Sequence, residues 1–179
     1  RLVALVEDII HLSQLDEGVV LAKESVDLLE TAENAASALR DSAAKKHIQL
    51  SVTGEAIRID GVYNFLYEMI YNLCDNAIKY NVEGGRVDIS VSGGRRGAVV
   101  TVKDTGIGIP PEYQSRIFER FFRVDKSRSK ASGGTGLGLS IVKHIAQYHH
   151  AAIELQSDTG GSAISIVFPP QTGEYREPA

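Results

Sequence analysis

Tryptophan is absent from the 179 residues, cysteine and methionine occur once each, as Cys74 and Met69, and proline only five times. One cysteine excludes an intrachain disulfide framework and a cysteine-rich zinc site. No apolar run approaches the roughly 20 residues that a transmembrane helix needs. Cationic excess is missing as well: the net charge is −4, which argues against general nucleic-acid binding. The chain opens at Arg1 with no initiator Met and no signal-peptide pattern, as expected of a fragment or a processed chain. What remains is ordinary for a globular domain, with 43% hydrophobic and 23% charged residues.

Two local departures stand out from these averages. Six of the 17 glycines lie between Gly106 and Gly138. Residues 116–130 carry six cations (Arg116, Arg120, Arg123, Lys126, Arg128 and Lys130) against Glu119 and Asp125, a net of +4 that leaves −8 on the remainder.

Leu2, Leu5, Ile9 and Leu12 repeat at steps of three and four, the seam of a helix packed on another helix. Val19–Ser25 reads as a short strand. Asp27 can cap a long helix to about Lys46, with Leu28, Ala32, Ala35, Ala36, Leu39 and Ala43 on one face. Ile48–Val52 alternates like a strand, and Ile57–Ile59 follows it. Gly61 is expected to open a second long helix ending near Tyr80. The stretches Arg86–Ser92 and Ala98–Lys103 form a hairpin around a Gly-rich turn. A short helix starts at Pro111, residues 121–135 read as a mobile basic lid, and a third long helix runs from Gly136 to His149. A hairpin, Ala152–Gln156 and Ala163–Phe168, closes the core before a polar tail. Three sizeable helices with about six or seven strands predict an α+β fold, an α/β sandwich with the helices on one face of a mixed, mostly antiparallel sheet.

The second helix carries two stripes. Val62, Leu66, Met69, Leu73 and Ala77 define a core face, and Glu68, Asn72, Asn76 and Lys79 define a polar one. Asn is a modest helix former, so two aligned Asn side chains point to a purpose beyond propensity. An amide oxygen suits Mg²⁺, which proteins hold with one or two ligands among phosphates and waters, and Lys79 would meet phosphate as a point charge. A solvated polar face is the competing explanation for that stripe. Asp104-Thr105-Gly106-Ile107-Gly108-Ile109-Pro110 ends a strand in a sharp turn. There a carboxylate can accept from an exocyclic amine, paired glycines allow close approach, and Ile107 and Ile109 supply apolar walls. Taken alone, such a segment is more often a simple turn than a site. Gly133-Gly134-Thr135-Gly136-Leu137-Gly138-Leu139-Ser140 opens the third long helix and offers backbone N–H groups to an anion. It has neither the Gly-Lys-Ser/Thr of a P-loop nor the GxGxxG spacing of a dinucleotide site.

Together these motifs resemble one family. Asn72–Tyr80 looks like the N box of sensor histidine kinases, Asp104–Pro110 like their G1 box, Arg116–Arg123 like their F box and Gly134–Ser140 like G2. Gly160-Gly161-Ser162 matches the small turn near that domain's end, and Leu15-Asp16-Glu17-Gly18 resembles the usual exit of the family's dimerisation hairpin. The resemblance implies a Bergerat-type ATP-binding fold and transfer of phosphoryl from Mg²⁺-ATP to a histidine. It implies that Asn76 ligates Mg²⁺, with Asn72 beside the phosphates, Lys79 and Arg123 on phosphate and Tyr80 along the base and ribose. Asp104 would read the adenine amino group, with Gly106, Ile107, Gly108 and Ile109 around the purine. Gly134, Thr135, Gly136, Leu137, Gly138 and Leu139 would wrap the phosphates. Phe118, Phe121 and Phe122 would anchor the lid in an apolar pocket.

The same resemblance implies a division into hairpin helix (1–17), ATP-binding domain (18–170) and tail (171–179). It also implies a response-regulator partner, a homodimer formed through the hairpin, and a cytoplasmic placement in a membrane-anchored bacterial sensor. None of His11, His47, His144, His149 and His150 is followed by an acidic residue, the context of the family's phosphoacceptor. The acceptor is therefore expected outside this segment. Cys74 is expected to be a buried thiol and the His149-His150 pair to serve packing or solvent. An ATP-gated conformational module like the chaperone and topoisomerase relatives, or a nucleotide-binding module without transfer, are the alternative functions.

Overall fold

The computed structural model describes residues 21–124 and 135–170. The expected hairpin helix, most of the basic lid and the polar tail lie outside the described residues.

The elements run β1 (Glu24–Asp27), α1 (Leu28–Ala44), β2 (Gln49–Gly54), β3 (Arg58–Gly61) and α2 (Tyr63–Lys79), then β4 (Arg86–Gly94) and β5 (Gly97–Asp104). They continue with α3 (Pro111–Gln114), α4 (Gly138–Tyr148), β6 (Ala152–Asp158) and β7 (Gly161–Val167). Asp27 caps α1 as expected, its Oδ1 accepting from the N–H groups of Leu29 (3.0 Å) and Glu30 (3.1 Å). Such a cap contributes about 1 kcal/mol. Within the described part of the strand expected at Val19–Ser25, residues 21–23 are not strand, and pairing with β3 starts at Glu24, opposite Gly61. Gly61 therefore ends β3 rather than opening α2.

Five strands form the main sheet in the order β2-β4-β5-β7-β6, with β2 and β4 parallel and every other pair antiparallel. Register puts apolar residues on one face: Ile89 lies opposite Val102, which lies opposite Ile164, and Val91 opposite Val100, which lies opposite Ile166. The other face is polar, with Ser90 opposite Thr101 and Thr101 opposite Ser165. Helices α1, α2 and α4 pack side by side over the apolar face, α2 in the middle. Leu66, Met69, Ile70 and Cys74 of α2 and Ile141 and Ile145 of α4 are fully buried there. At roughly 25 cal/mol per Å² of apolar surface removed from water, this layer is the main source of stability.

His149, the residue after α4, is buried and joins two helices. Val62 N–H donates to its Nε2 (3.1 Å), and its Nδ1–H donates to Ile145 O (2.9 Å). The imidazole is thereby fixed as the neutral tautomer with the proton on Nδ1, and burial pushes its pKa below the ordinary value. The packing role expected for the His149-His150 pair is met by His149. Cys74 is buried as expected, and burial pushes its thiol up to about 12.

Candidate functional site

Helix α2 is the common wall of the site because both glycine-rich segments lie against it. At its middle, Asn72 and Asn76 face the first residue of α4: a Cβ placed on Gly138 would lie 3.0 Å from Asn72 Oδ1 and 3.5 Å from Asn76 Nδ2. The absence of a side chain at Gly138 is thus what lets the start of α4 sit over the amide stripe. At its C-terminus, Tyr80 O accepts from Ile107 N–H (3.1 Å), and a Cβ on Gly106 would lie 2.5 Å from that same oxygen. One helix therefore brings the polar stripe, the Asp104–Pro110 turn and the start of α4 into one surface.

Asp104 ends β5 half-buried. Its Oδ1 accepts from Gly106 N–H (2.8 Å) and Ser162 N–H (3.3 Å). Burial raises its pKa above the usual carboxylate value, and these two N–H donors oppose the shift. Gly108 has φ +67°, a left-handed conformation, and its backbone passes so close to the β6–β7 turn that a Cβ would lie 1.6 Å from Asp158 O. Ser157 locks this approach, its Oγ accepting from Ile109 N–H (2.8 Å) and donating to Gly161 O (3.0 Å). Gln114 of α3 adds its amide, donating to Ile109 O (2.9 Å) and Ser157 O (3.2 Å). On the other side Asn81 and Thr105 brace the turn, since Thr105 Oγ1 accepts from Arg86 N–H (2.8 Å) and donates to Asn81 Oδ1 (3.3 Å).

The remaining expected residues fall around these two walls. Lys79 forms an ion pair with Asp75 one turn earlier, and Tyr80 stands 45% exposed at the helix end. Ile107 is 51% exposed and Ile109 half-buried, so the apolar wall is open on the Ile107 side. Gly136 has φ +78°, and its carbonyl accepts from Phe121 N–H (3.0 Å). A Cβ on Gly136 would lie 3.3 Å from Arg123 Cγ, which places Arg123 beside the glycine segment. Leu137 anchors that segment with a fully buried side chain, while its N–H donates to Thr135 Oγ1 (3.3 Å). Leu139 packs half-buried on the core. Gly134 lies outside the described residues.

The aromatic anchor differs from expectation. Phe121 is 60% exposed in a left-handed conformation (φ +62°), and Phe122 is half-buried between Tyr113 and the Arg116 guanidinium. Ile117 is the buried residue of this segment. Its N–H bonds to Tyr113 O in a turn after α3, and that turn sends the helical face inward at 117 instead of 121. Arg120 ties the segment to α4 by donating to His144 Nε2 (2.9 Å), while His144 Nδ1–H donates to Ser140 O (2.7 Å). Ser157, Gln114 and Asn81 lie outside the motifs, and only tertiary contact identifies them; Thr105 lies within the Asp104–Pro110 motif, where its bracing role was not marked. Ser162 was visible as part of the Gly160-Gly161-Ser162 turn, though not its bond to Asp104.

The structure is an α/β sandwich in which two glycine-lined segments meet along one helix. Residues 61–172 match the family described as "Histidine kinase-, DNA gyrase B-, and HSP90-like ATPase", and the chain belongs to that family. Among curated relatives, the sensor-like histidine kinase SenX3 of Mycolicibacterium smegmatis is 41% identical over 99% of this chain and 46% of its own length. The sensor histidine kinase RppB of Synechocystis is 37% identical over 94% of this chain and 38% of its own. The chain thus spans less than half the length of these relatives. Among solved structures, the mycobacterial sensor histidine kinase MprB superposes with a TM-score of 0.72 at 32% identity, over 82% of this chain and 97% of that one. Full-length ShkA in complex with AMPPNP superposes with a TM-score of 0.79 at 27% identity, over 95% of this chain and 36% of that one. The chain is accordingly a catalytic ATPase-type domain of the kind found in sensor histidine kinases, and its fold is the expected Bergerat sandwich.

Proposed function

We propose that this domain binds Mg²⁺-ATP across α2 and transfers the γ-phosphoryl group to a histidine on a helical hairpin. One observation carries the proposal: the Asn72–Asn76 stripe lies directly against the glycine start of α4, while the same helix ends on the Asp104 turn. That spacing provides a phosphate end and a base end on one wall. The cradle fits the group, because side chains at Gly106, Gly108 or Gly138 would fill the space or displace its walls. The donor set fits as well. No cluster of three or more His, Cys, Asp or Glu that could hold a metal occurs among the described residues. Asn76, beside Asn72 at the start of α4, would offer Mg²⁺ one amide oxygen, leaving phosphates and water to complete the shell.

The bound ion would neutralise charge on the phosphates. The chain's own groups position and polarise. Asn72 orients the phosphates beside Asn76. Lys79 has three donor positions, so its pairing with Asp75 leaves others for phosphate oxygens. Arg123, beside Gly136, offsets charge on the γ-phosphate. Gly134, Thr135, Gly136, Gly138 and the backbone at Leu137 and Leu139 enclose the phosphates. At the other end Asp104 accepts from the adenine amine, Gly106, Ile107, Gly108 and Ile109 shape the purine slot, and Tyr80 covers the ribose side.

We further propose the division into a hairpin helix (1–17), the ATP-binding domain (18–170) and a tail (171–179). The parent would be a homodimer through its hairpin, facing the bacterial cytoplasm from a membrane-anchored sensor and feeding a response regulator. The sensor-kinase relatives favour transfer over a chaperone-like ATP gate. The test supplies a separate His-bearing hairpin with γ-labelled ATP. Acid-labile phosphohistidine is expected; bound nucleotide with no labelled histidine would overturn transfer and leave a binding module.

A further inference from the structure

The C-terminus of α2 is closed by a residue outside every motif. Lys46, in the turn after α1, donates from Nζ to Ile78 O (3.0 Å) and Lys79 O (2.6 Å), and its own carbonyl accepts from Gly84 N–H (3.1 Å). The last carbonyls of a helix have no partner within the helix and carry its negative dipole end, so an ammonium there satisfies both. Lys46 thus holds the 78–84 segment at both ends. Between those ends lies Tyr80, whose carbonyl receives Ile107 N–H and lies under Gly106.

We propose that Lys46 is a positioning residue for the purine end of the site, fixing Tyr80 and through it the Asp104–Pro110 turn. The proposal rests on the nucleotide reading above. Lys46 touches no ligand in it. Its effect runs from the helix terminus to the Tyr80–Ile107 bond, and from there to the slot beside Asp104. Because it acts at the base end, its loss weakens ATP and ADP alike, independent of the number of phosphates. A charge-assisted pair of bonds at a helix terminus is worth enough to change affinity by on the order of tenfold when its geometry is transmitted.

The test uses Lys46→Met, with Lys46→Arg as the conservative rescue and Asp27→Ala as a control that loosens α1 away from the slot. In the ligand-free chain, amide exchange at Ile107 is compared with exchange at Val100 and Val102 in the central strand. Lys46→Met is expected to speed exchange at Ile107 by about tenfold more than at the strand amides, because opening of the turn is local. It is also expected to weaken ATP and ADP by the same factor, with Arg recovering most of both effects. Asp27→Ala is expected to leave affinity unchanged. Exchange at Ile107 that merely tracks Val102 in Lys46→Met, or affinities within twofold of the native chain, would overturn the proposal. If the native chain binds neither nucleotide, the nucleotide reading itself falls, a separate failure visible before any variant is made. If Lys46→Met does not fold, Lys46→Gln takes its place with the same criteria.

Discussion

Gly108→Ala separates two reasons for a glycine, and their sizes follow from the structure. The first reason is torsional: φ is +67°, where a side chain costs about 1 to 2 kcal/mol. The second is steric, because the new Cβ would lie 1.6 Å from Asp158 O, far inside the 3.0 Å that real Cβ contacts respect. The turn and the β6–β7 hairpin must then part by more than an ångström. That movement breaks the two bonds that cross between them, from Ile109 N–H to Ser157 Oγ and from the Gln114 amide to Ser157 O, each worth about 1 kcal/mol net. The total expected loss is about 3 to 4 kcal/mol, summed from the torsional and hydrogen-bond terms. Gly84→Ala supplies the reference, since Gly84 has φ +71° and nothing within 4 Å of its would-be Cβ. It should lose only the torsional part. Urea unfolding with unchanged m-values measures both. Losses equal within about 0.5 kcal/mol would refute the claim that the turn is packed against the hairpin, since surface changes of that size are unremarkable.

Two further outcomes follow from buried groups. His149 is held neutral, so its folded pKa is depressed while the unfolded chain titrates near 6.5. Below that pH the unfolded state binds more protons. Stability from this site is therefore complete above about pH 6.5 and falls as pH drops through that value toward the lower folded pKa. Urea midpoints between pH 7.5 and 5 should fall less in His149→Leu than in the native chain; parallel curves would contradict the assignment. Cys74, with its thiol pushed up to about 12 and no exposed surface, should resist iodoacetamide at pH 8 until the chain unfolds. Rapid labelling of the native chain would show that α2 opens at its centre.

Much of this architecture could be read before any coordinate, because local rules and global packing agree in it. Asp27 caps α1, and Val62, Leu66, Met69, Leu73 and Ala77 are all buried, since amphipathic periodicity states which face packs. The hairpins followed from glycine placement between alternating strands. Strand β1 was less legible: its start depends on a partner, β3, some thirty residues later, and pairing carries no local mark. The inward turn at Ile117 in place of Phe121 escaped for a similar reason, as a four-residue helix sets no lasting phase. At the site the motifs marked the residues that line the surface along α2, Asn72, Asn76, Asp104 and the glycines. The residues that hold these in place, Ser157, Gln114, Asn81 and Lys46, were silent in sequence because their partners are distant in the chain or are backbone atoms.

Asp104 offers the most direct test of the whole account. Its Oδ1 takes the N–H groups of Gly106 and Ser162, so Oδ2 is the oxygen left to meet an exocyclic amine. In Asp104→Asn the amide oxygen must keep those two donors, which turns an NH₂ group toward the base. Against adenine this sets donor against donor and removes a charge-assisted bond, a loss of about 10- to 100-fold in affinity. Against a purine with a 6-oxo group the same NH₂ becomes complementary. Calorimetry of the native chain and Asp104→Asn with Mg²⁺ and either ATP or inosine triphosphate reads this directly. The account predicts that the native chain prefers ATP and that Asp104→Asn reverses or abolishes the preference. Equal ATP affinity in both proteins, or no binding by the native chain, would contradict it.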